Sequence, residues 1–130
     1  MEYTNVWSWK QMLNGVQQVV SAFFQGHAYR LEEDGAFSQV FSCGEQKLAG
    51  KFSLFMSGGT WARVPMRVYV SYLFEPSRTT ITVRYQTPEW VKIVGFSSDH
   101  FSKIVSEEFH QLGPYVDSWR NAATQELQAP

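Results

Sequence analysis

Apolar residues near the start of the chain recur at the spacing of an amphipathic helix. Ser8 and Gln11 have the spacing of a capping box, which predicts that the helix begins at Ser8. Gly26 suits the end of a helix. The sequence therefore predicts an N-terminal helix whose buried stripe consists of Trp9, Met12, Leu13, Val16, Val19, Val20 and Phe23.

The pattern changes after this helix, and apolar residues then alternate with polar ones as they do in half-buried strands. Asp34-Gly35 is typical of a two-residue hairpin turn, and Pro76 suits the second position of a later turn. The strongest alternation, from Val64 to Phe74, predicts a central strand. The predicted strands cover 27–33, 36–43, 48–56, 61–74 and 79–86.

A second amphipathic helix is predicted from Ser98 onward, with Gly113-Pro114 as the point where it kinks or is interrupted. Between the last strand and this helix, the segment 88–96 is either a short helix capped by Thr87 or a further extended piece, and we favour the helix. We expect the tail, 124–130, to fray. The apolar stripe of the second helix consists of Phe101, Ile104, Val105, Phe109, Leu112, Tyr115, Val116 and Trp119.

These elements predict one α+β domain over residues 1–130 in the order α-β-β-β-β-β-α. Its sheet is a five-stranded antiparallel meander, with the N- and C-terminal helices packed on one face. This order resembles, in outline, that of helix-grip and other curved-sheet ligand-binding folds. Two helices over a curved sheet either close-pack or enclose an apolar pocket. The residues predicted to line that pocket are Trp9, Tyr29, Tyr72, Tyr85 and Phe109.

The opposite, outer face of the sheet follows from strand register. Both apolar rows stay in the core only if Ser57-Gly58-Gly59 forms an odd-length turn, which places Phe55 opposite Trp61 on the outer face. Aromatic side chains beside arginines are enriched at binding surfaces. On the next hairpin we expect Phe74 to face Ile81 in the core. The predicted binding surface is Phe55, Trp61, Arg63, Arg67, Tyr69 and Arg84, with Lys51 and Leu73 beside it.

Three interpretations of this outer face remain open. Phe55 and Trp61 are either a cross-strand pair that stabilises its own hairpin, part of a self-association or partner interface, or a platform that stacks single-stranded nucleic acid. The formal net charge of −1 argues against the last. We therefore do not expect a nucleic-acid partner.

No catalytic or cofactor motif stands out. The "SGGT" stretch lacks the lysine and the following helix of a phosphate loop, and Cys43 has no histidine at a spacing that indicates a nucleophile. Glu107 and His110 form a single Glu-x-x-His pair, whereas a di-iron site uses two with further glutamates. We therefore predict neither a metal nor a cofactor.

The lone cysteine and the absence of a long apolar run favour a soluble, cytoplasmic protein that does not enter a membrane. The function that the sequence favours is a non-enzymatic interaction module that forms a homodimer through the outer sheet face or through an edge strand. The alternative is a binder of a small apolar or aromatic ligand between the helices and the sheet. An enzyme of unknown type is the third hypothesis.

Overall fold

The computed structural model describes residues 1–44, 65–88 and 98–128, with side chains up to residue 122. Within them a strand precedes the first helix, four strands follow it, and a long helix comes last. The elements are β1 (Glu2–Trp9), α1 (Val16–Gly26), β2 (Arg30–Asp34), β3 (Ser38–Cys43), β4 (Met66–Glu75), β5 (Arg78–Gln86) and α2 (Ser98–Gln128).

All five described strands form one antiparallel sheet in the order β1-β5-β4-β3-β2. The last four are neighbours in sequence order, as in a meander, and β1 returns to pair along β5 with Glu2 opposite Gln86 and Trp9 opposite Thr79. The predicted α+β class and the five-stranded antiparallel sheet are confirmed. The predicted order α-β-β-β-β-β-α is wrong, because β1 precedes α1 and β3 pairs directly with β4. Strands β1 and β2 are the two edges of this sheet.

The core lies between one face of the sheet and the two helices. Helix α1 contributes Val16, Val20, Phe23 and Phe24, because these positions recur every three or four residues and share one side of the helix. Alternate residues of the strands complete the core, since successive side chains of a strand point to opposite faces. The buried residues of β4 and β5 are Met66, Val68, Val70, Tyr72, Thr79, Ile81, Val83 and Tyr85.

The predicted start of the first helix is wrong. Residues 8 and 9 end β1, and α1 begins only at Val16, after Gly15 with a φ of 82°. The connection is bonded to β5 instead of being wound into a helix: the Leu13 amide donates to the Thr79 hydroxyl at 2.9 Å, and that hydroxyl donates to the Gln11 carbonyl at 2.9 Å. Pairing with β5 and these bonds to Thr79 outweigh the local capping signal. The helix ends at Gly26, as expected.

The strands agree with the alternation, but two turns differ from their predicted geometry. The Asp34-Gly35 turn is longer than two residues, because Asp34 faces Gln39 and Gly35 donates its amide to the Ser38 carbonyl at 2.8 Å. In the β4–β5 hairpin, Glu75 faces Arg78, so Pro76 occupies the predicted second position of the turn, but the turn is only two residues long and the pairing register differs.

The tight β4–β5 turn shifts the register of the hairpin by two residues. Phe74 therefore faces Thr79, and Ile81 faces Tyr72 instead of Phe74. A shift of two positions keeps every side chain on its predicted face. The predicted strand 48–56, the odd-length turn at Ser57-Gly58-Gly59 and residues 89–96 of the undecided segment lie outside the described residues.

Helix α2 begins at Ser98, as predicted, and runs through Gly113 and Pro114. The ring of Trp7 lies against this point: a Cβ atom added at Gly113 would be 2.6 Å from Trp7 Cη2 and Cζ2. The Trp7 indole N–H donates to the Phe109 carbonyl at 3.0 Å, and the two rings stack with centroids 5.4 Å apart. Gly113 thus allows the N-terminal strand to dock against the last helix.

Candidate functional site

A half-buried carboxyl group is held between α2 and the sheet. Glu108 lies on the inner side of α2, and its Oε1 accepts hydrogen bonds from the hydroxyls of Tyr29 at 3.0 Å and Tyr85 at 2.9 Å. Tyr29 precedes β2 and Tyr85 lies near the end of β5, so a single side-chain oxygen joins three elements. We call Glu108, Tyr29, Tyr85 and the adjacent Cys43 the Glu108 cluster.

Burial dominates the electrostatics of this cluster. It raises the pKa of Glu108 above its usual range, although the two tyrosine hydroxyls and, more weakly, the nearby His27 favour the carboxylate. Burial and then the charge of Glu108 raise the pKa of Tyr29 and Tyr85 well above the usual value, so both remain hydrogen-bond donors. Cys43 adds to the same effect and is itself buried. A carboxyl in such surroundings is a strong hydrogen-bond acceptor and a candidate proton acceptor.

Aromatic side chains surround the Glu108 cluster. The ring of Phe24 lies edge-on to Tyr29 at 5.4 Å and to Tyr85 at 6.3 Å between centroids. Tyr3 of β1 contacts both Tyr85 and Phe109 with centroids 6.2 Å away. The carboxyl therefore lies in a mainly apolar setting, which explains the direction of its pKa.

The five residues predicted to line a pocket are all buried between the helices and the sheet, at 7% exposure or less. Tyr29 and Tyr85 meet at Glu108, while Trp9 and Tyr72 bond elsewhere. The Trp9 indole donates to Asp117 Oδ1 at 2.8 Å, and the Tyr72 hydroxyl donates to Gln39 Oε1. The structure thus brings two of the five together around a polar group.

Sequence reasoning missed Glu108. It considered Glu107 and His110, which are both exposed. Glu108 follows Val105 by three positions and precedes Leu112 by four, and both of those residues are fully buried. A charged residue in phase with an apolar stripe is the signal that would have found it.

On the outer face of the sheet, part of the predicted binding surface is assembled. Arg67 and Tyr69 of β4 lie beside Arg84 of β5, and the Arg84 guanidinium is 4.4 Å above the Tyr69 ring centroid. Leu73 on the same face is 57% exposed, and Val6 of β1 is 47% exposed. Phe55, Trp61 and Arg63 lie outside the described residues.

Acidic side chains accompany the arginines of this face. Arg84 forms an ion pair with Glu2 at 3.1 Å, and Arg30 forms one with Glu32 at 3.6 Å. The Ser42 hydroxyl donates to Glu32, and this bond, together with the charges of Arg30 and Arg67, lowers the pKa of Glu32 below its usual range. Two of the described arginines of this face, Arg30 and Arg84, are therefore each paired with a carboxylate of the same chain.

Comparison of the chain with protein-family profiles, with curated proteins and with solved structures found no match. In the part of the chain that the structure describes, no three His, Cys, Asp or Glu side chains are grouped as metal ligands. None of the described helices is both long and apolar enough to cross a membrane.

Proposed function

We propose that the protein is a non-enzymatic interaction module that self-associates through the outer face of its sheet. The observation that supports this proposal is the composition of that face. Leu73 and Val6 are exposed large apolar side chains, and Tyr69 lies on the same face between Leu73 and Arg67. Both helices pack on the other face, so these side chains have no helix over them among the described residues.

The internal charge pairs favour a second copy over a nucleic acid. A surface that binds phosphates needs arginines free to pair with them. Here Arg84 is already paired with Glu2, and Arg30 is paired with Glu32. Two copies of a face that carries its own counter-charges meet without strong repulsion, as a two-fold interface requires. Within this proposal the location is cytoplasmic, where a buried cysteine thiol such as that of Cys43 stays reduced.

Sedimentation of a Leu73→Glu variant tests the proposal. We expect the unmodified protein to sediment as a dimer at micromolar concentration and the variant to shift toward the monomer, because a carboxylate would be desolvated at the interface. Phe37→Glu is the matched control. Phe37 is 65% exposed but lies in the β2–β3 turn next to Phe74, whose strand position faces the core side.

A monomeric unmodified protein at high concentration would contradict outer-face association, and so would a Leu73→Glu variant that remains a dimer. Equal dissociation by Leu73→Glu and Phe37→Glu would also contradict it, because the effect would then not be specific to the face.

We propose as the second candidate function the binding of a small, mainly apolar ligand that carries a hydrogen-bond donor. The Glu108 cluster favours this candidate, because it offers a polar anchor among aromatic side chains. A thermal-shift screen with small aromatic amines and phenols checks it. Ligands that raise the melting temperature of the unmodified protein should fail to do so in Glu108→Gln, while a chemically diverse screen without any shift would count against ligand binding.

A further inference from the structure

The two edges of the sheet differ in how well they are protected against pairing with another strand. Edge β2 is five residues long, contains a bulge between Leu31 and Glu33, and is rich in charges. Edge β1 is eight residues long and continuous, and its single charged residue is Glu2. Short length, bulges and charges protect an edge, so among the described strands β2 is protected and β1 is open.

Backbone groups of β1 point away from the sheet at its even-numbered residues. The Met1 carbonyl accepts from the Thr87 amide at 3.0 Å, which fixes the odd-numbered residues as those that bond to β5. The Val6 amide correspondingly donates to the Asn5 side-chain Oδ1 at 2.8 Å and not to β5. Among the described residues no strand pairs with this side of β1. The outward groups of Thr4, Val6 and Ser8 form a row that a further strand fits, with the Val6 amide exchanging its bond to Asn5 Oδ1 for one to that strand.

We propose that β1 pairs with β1 of a second copy in antiparallel orientation, so that the two sheets become one continuous sheet. In the register with Val6 facing Val6 of the other copy, Thr4 faces Ser8. Glu2 then faces Lys10, the exposed residue that follows the strand. Opposite charges thus meet at both ends of the shared ladder, where Glu2 also keeps its ion pair with Arg84 of its own copy. Cross-strand pairs of opposite charge stabilise a sheet, whereas registers with a shorter overlap do not bring these two charges together.

The same register gives a self-consistent arrangement of side chains. Residues of one parity pair with residues of the same parity, so Val6 and Thr4 of both copies remain on the outer face. Tyr3 and Trp7 of both copies remain on the helix side. This pairing uses the edge of the sheet, so it is an alternative to the outer face as the interface of a dimer, and the two interfaces predict opposite responses to Leu73→Glu and Val6→Pro.

Disulfide trapping of a Val6→Cys variant tests this pairing. Facing residues of an antiparallel pair have Cα atoms about 4.5–5.5 Å apart, within the range of about 4.4–6.8 Å that a disulfide spans. We expect mild oxidation to convert most of this variant into a covalent dimer. The unmodified protein, whose only cysteine is the buried Cys43, serves as the blank.

Thr82→Cys is the matched control. Thr82 lies beside Val6 on the same face, one strand further in. In the edge-paired dimer the two copies of this position are three strand spacings apart, roughly 14 Å, which is too far for a disulfide. We therefore expect no covalent dimer from Thr82→Cys. Crosslinking of Thr82→Cys to the same extent as Val6→Cys would overturn edge pairing.

A proline at position 6 tests the backbone ladder itself. Because the Val6 amide points away from β5, Val6→Pro keeps the internal sheet and removes a donor from the open edge. We expect Val6→Pro to be monomeric by sedimentation and Val6→Thr, which keeps the amide and the branched side chain, to remain a dimer. Circular dichroism identifies a variant that fails to fold; in that case Thr4→Pro, whose amide also points outward, replaces it.

The responses of these variants distinguish edge pairing through β1 from association through the outer face. Loss of the dimer in Val6→Pro but not in Leu73→Glu supports edge pairing and contradicts outer-face association. Loss in Leu73→Glu but not in Val6→Pro overturns edge pairing and leaves the outer-face proposal in place. A Val6→Cys variant that stays monomeric after oxidation also overturns edge pairing.

Discussion

The half-buried carboxyl of Glu108 should make the protein less stable as the pH rises, and Glu108→Gln tests this. The glutamine side chain has nearly the same shape and keeps an oxygen that accepts from Tyr29 and Tyr85, but it does not ionise. The substitution therefore removes the charge while it retains the hydrogen bonds. Any stability change that depends on pH must then come from the ionisation of this one group.

The sign and size of the effect follow from proton linkage. In the unfolded chain Glu108 ionises near pH 4.5, whereas burial raises its pKa in the folded state. Between these two pKa values the folded protein binds more protons, so the free energy of unfolding falls as the pH rises through that window and is constant above it. Each unit by which the pKa is raised costs about 1.4 kcal/mol at higher pH. The free energy of unfolding of Glu108→Gln should exceed that of the unmodified protein by this amount at neutral pH, and the two should be equal below pH 4.

Urea unfolding followed by tryptophan fluorescence between pH 4 and 9 measures the difference between the two proteins. Other groups titrate in both. Glu32, for example, has a lowered pKa, so its contribution to stability is present above its ordinary pKa and is lost as the pH falls. Subtracting the free energies of unfolding of the two proteins at each pH cancels such contributions and leaves the contribution of Glu108. A difference that is independent of pH, or that grows toward acid, would refute the reasoning.

A second set of variants measures the hydrogen bonds of the cluster. Glu108→Leu leaves the two buried hydroxyls without their acceptor, at a cost of about 1–3 kcal/mol each. Removal of the carboxyl itself offsets part of that cost. Adding Tyr29→Phe and Tyr85→Phe should recover most of the loss, because an all-apolar cluster leaves no polar group unpaired. If the triple variant is less stable than Glu108→Leu, the tyrosine hydroxyls have other essential partners.

Two further substitutions test the packing of the core. Gly113→Ala should lower the free energy of unfolding in urea by about 1–3 kcal/mol, because its Cβ would overlap the Trp7 ring. Adding Trp7→Phe should restore part of this loss. An unchanged stability in Gly113→Ala would show that the contact is loose. Tyr72→Phe removes the donor to the Gln39 side-chain oxygen and should lower the thermal and urea stability by about 1–3 kcal/mol. The exposed Tyr115 is its control: Tyr115→Phe should stay within about 0.5 kcal/mol, and equal losses would contradict the assignment of the buried bond.

Alternation was sufficient to assign faces in the sheet but not the lengths of its turns. Val68 and Val70 are buried and Arg67 and Leu73 are exposed, as the period of two predicts. The facing pairs depend on turn length, and the β4–β5 turn proved shorter than predicted. The error moved pairs by two positions and left the faces unchanged. Local patterns therefore determine orientation more securely than pairing.

The N-terminal strand was missed for a different reason. Trp9 fits both a helical stripe and the inner row of a strand with Tyr3 and Trp7, and Ser8 added a local signal for a helix. What decides between them is the pairing of β1 with β5 and the bonds to Thr79, groups more than sixty residues away in the chain. A local pattern within one sequence carries no information about such distant partners. The Glu108 cluster was missed for the same reason, because its residues are also brought together by contacts between distant parts of the chain.

The docking of Trp7 and Trp9 against α2 has a consequence for the order in which the chain folds. Their hydrogen-bond partners follow them by 102 and 108 positions. At a synthesis rate of about 5–20 residues per second, β1 waits roughly 5–20 s for the segment that covers it. During that interval two tryptophans remain without their final contacts. We therefore expect the growing chain, and not the finished protein, to be the form that depends most on chaperones.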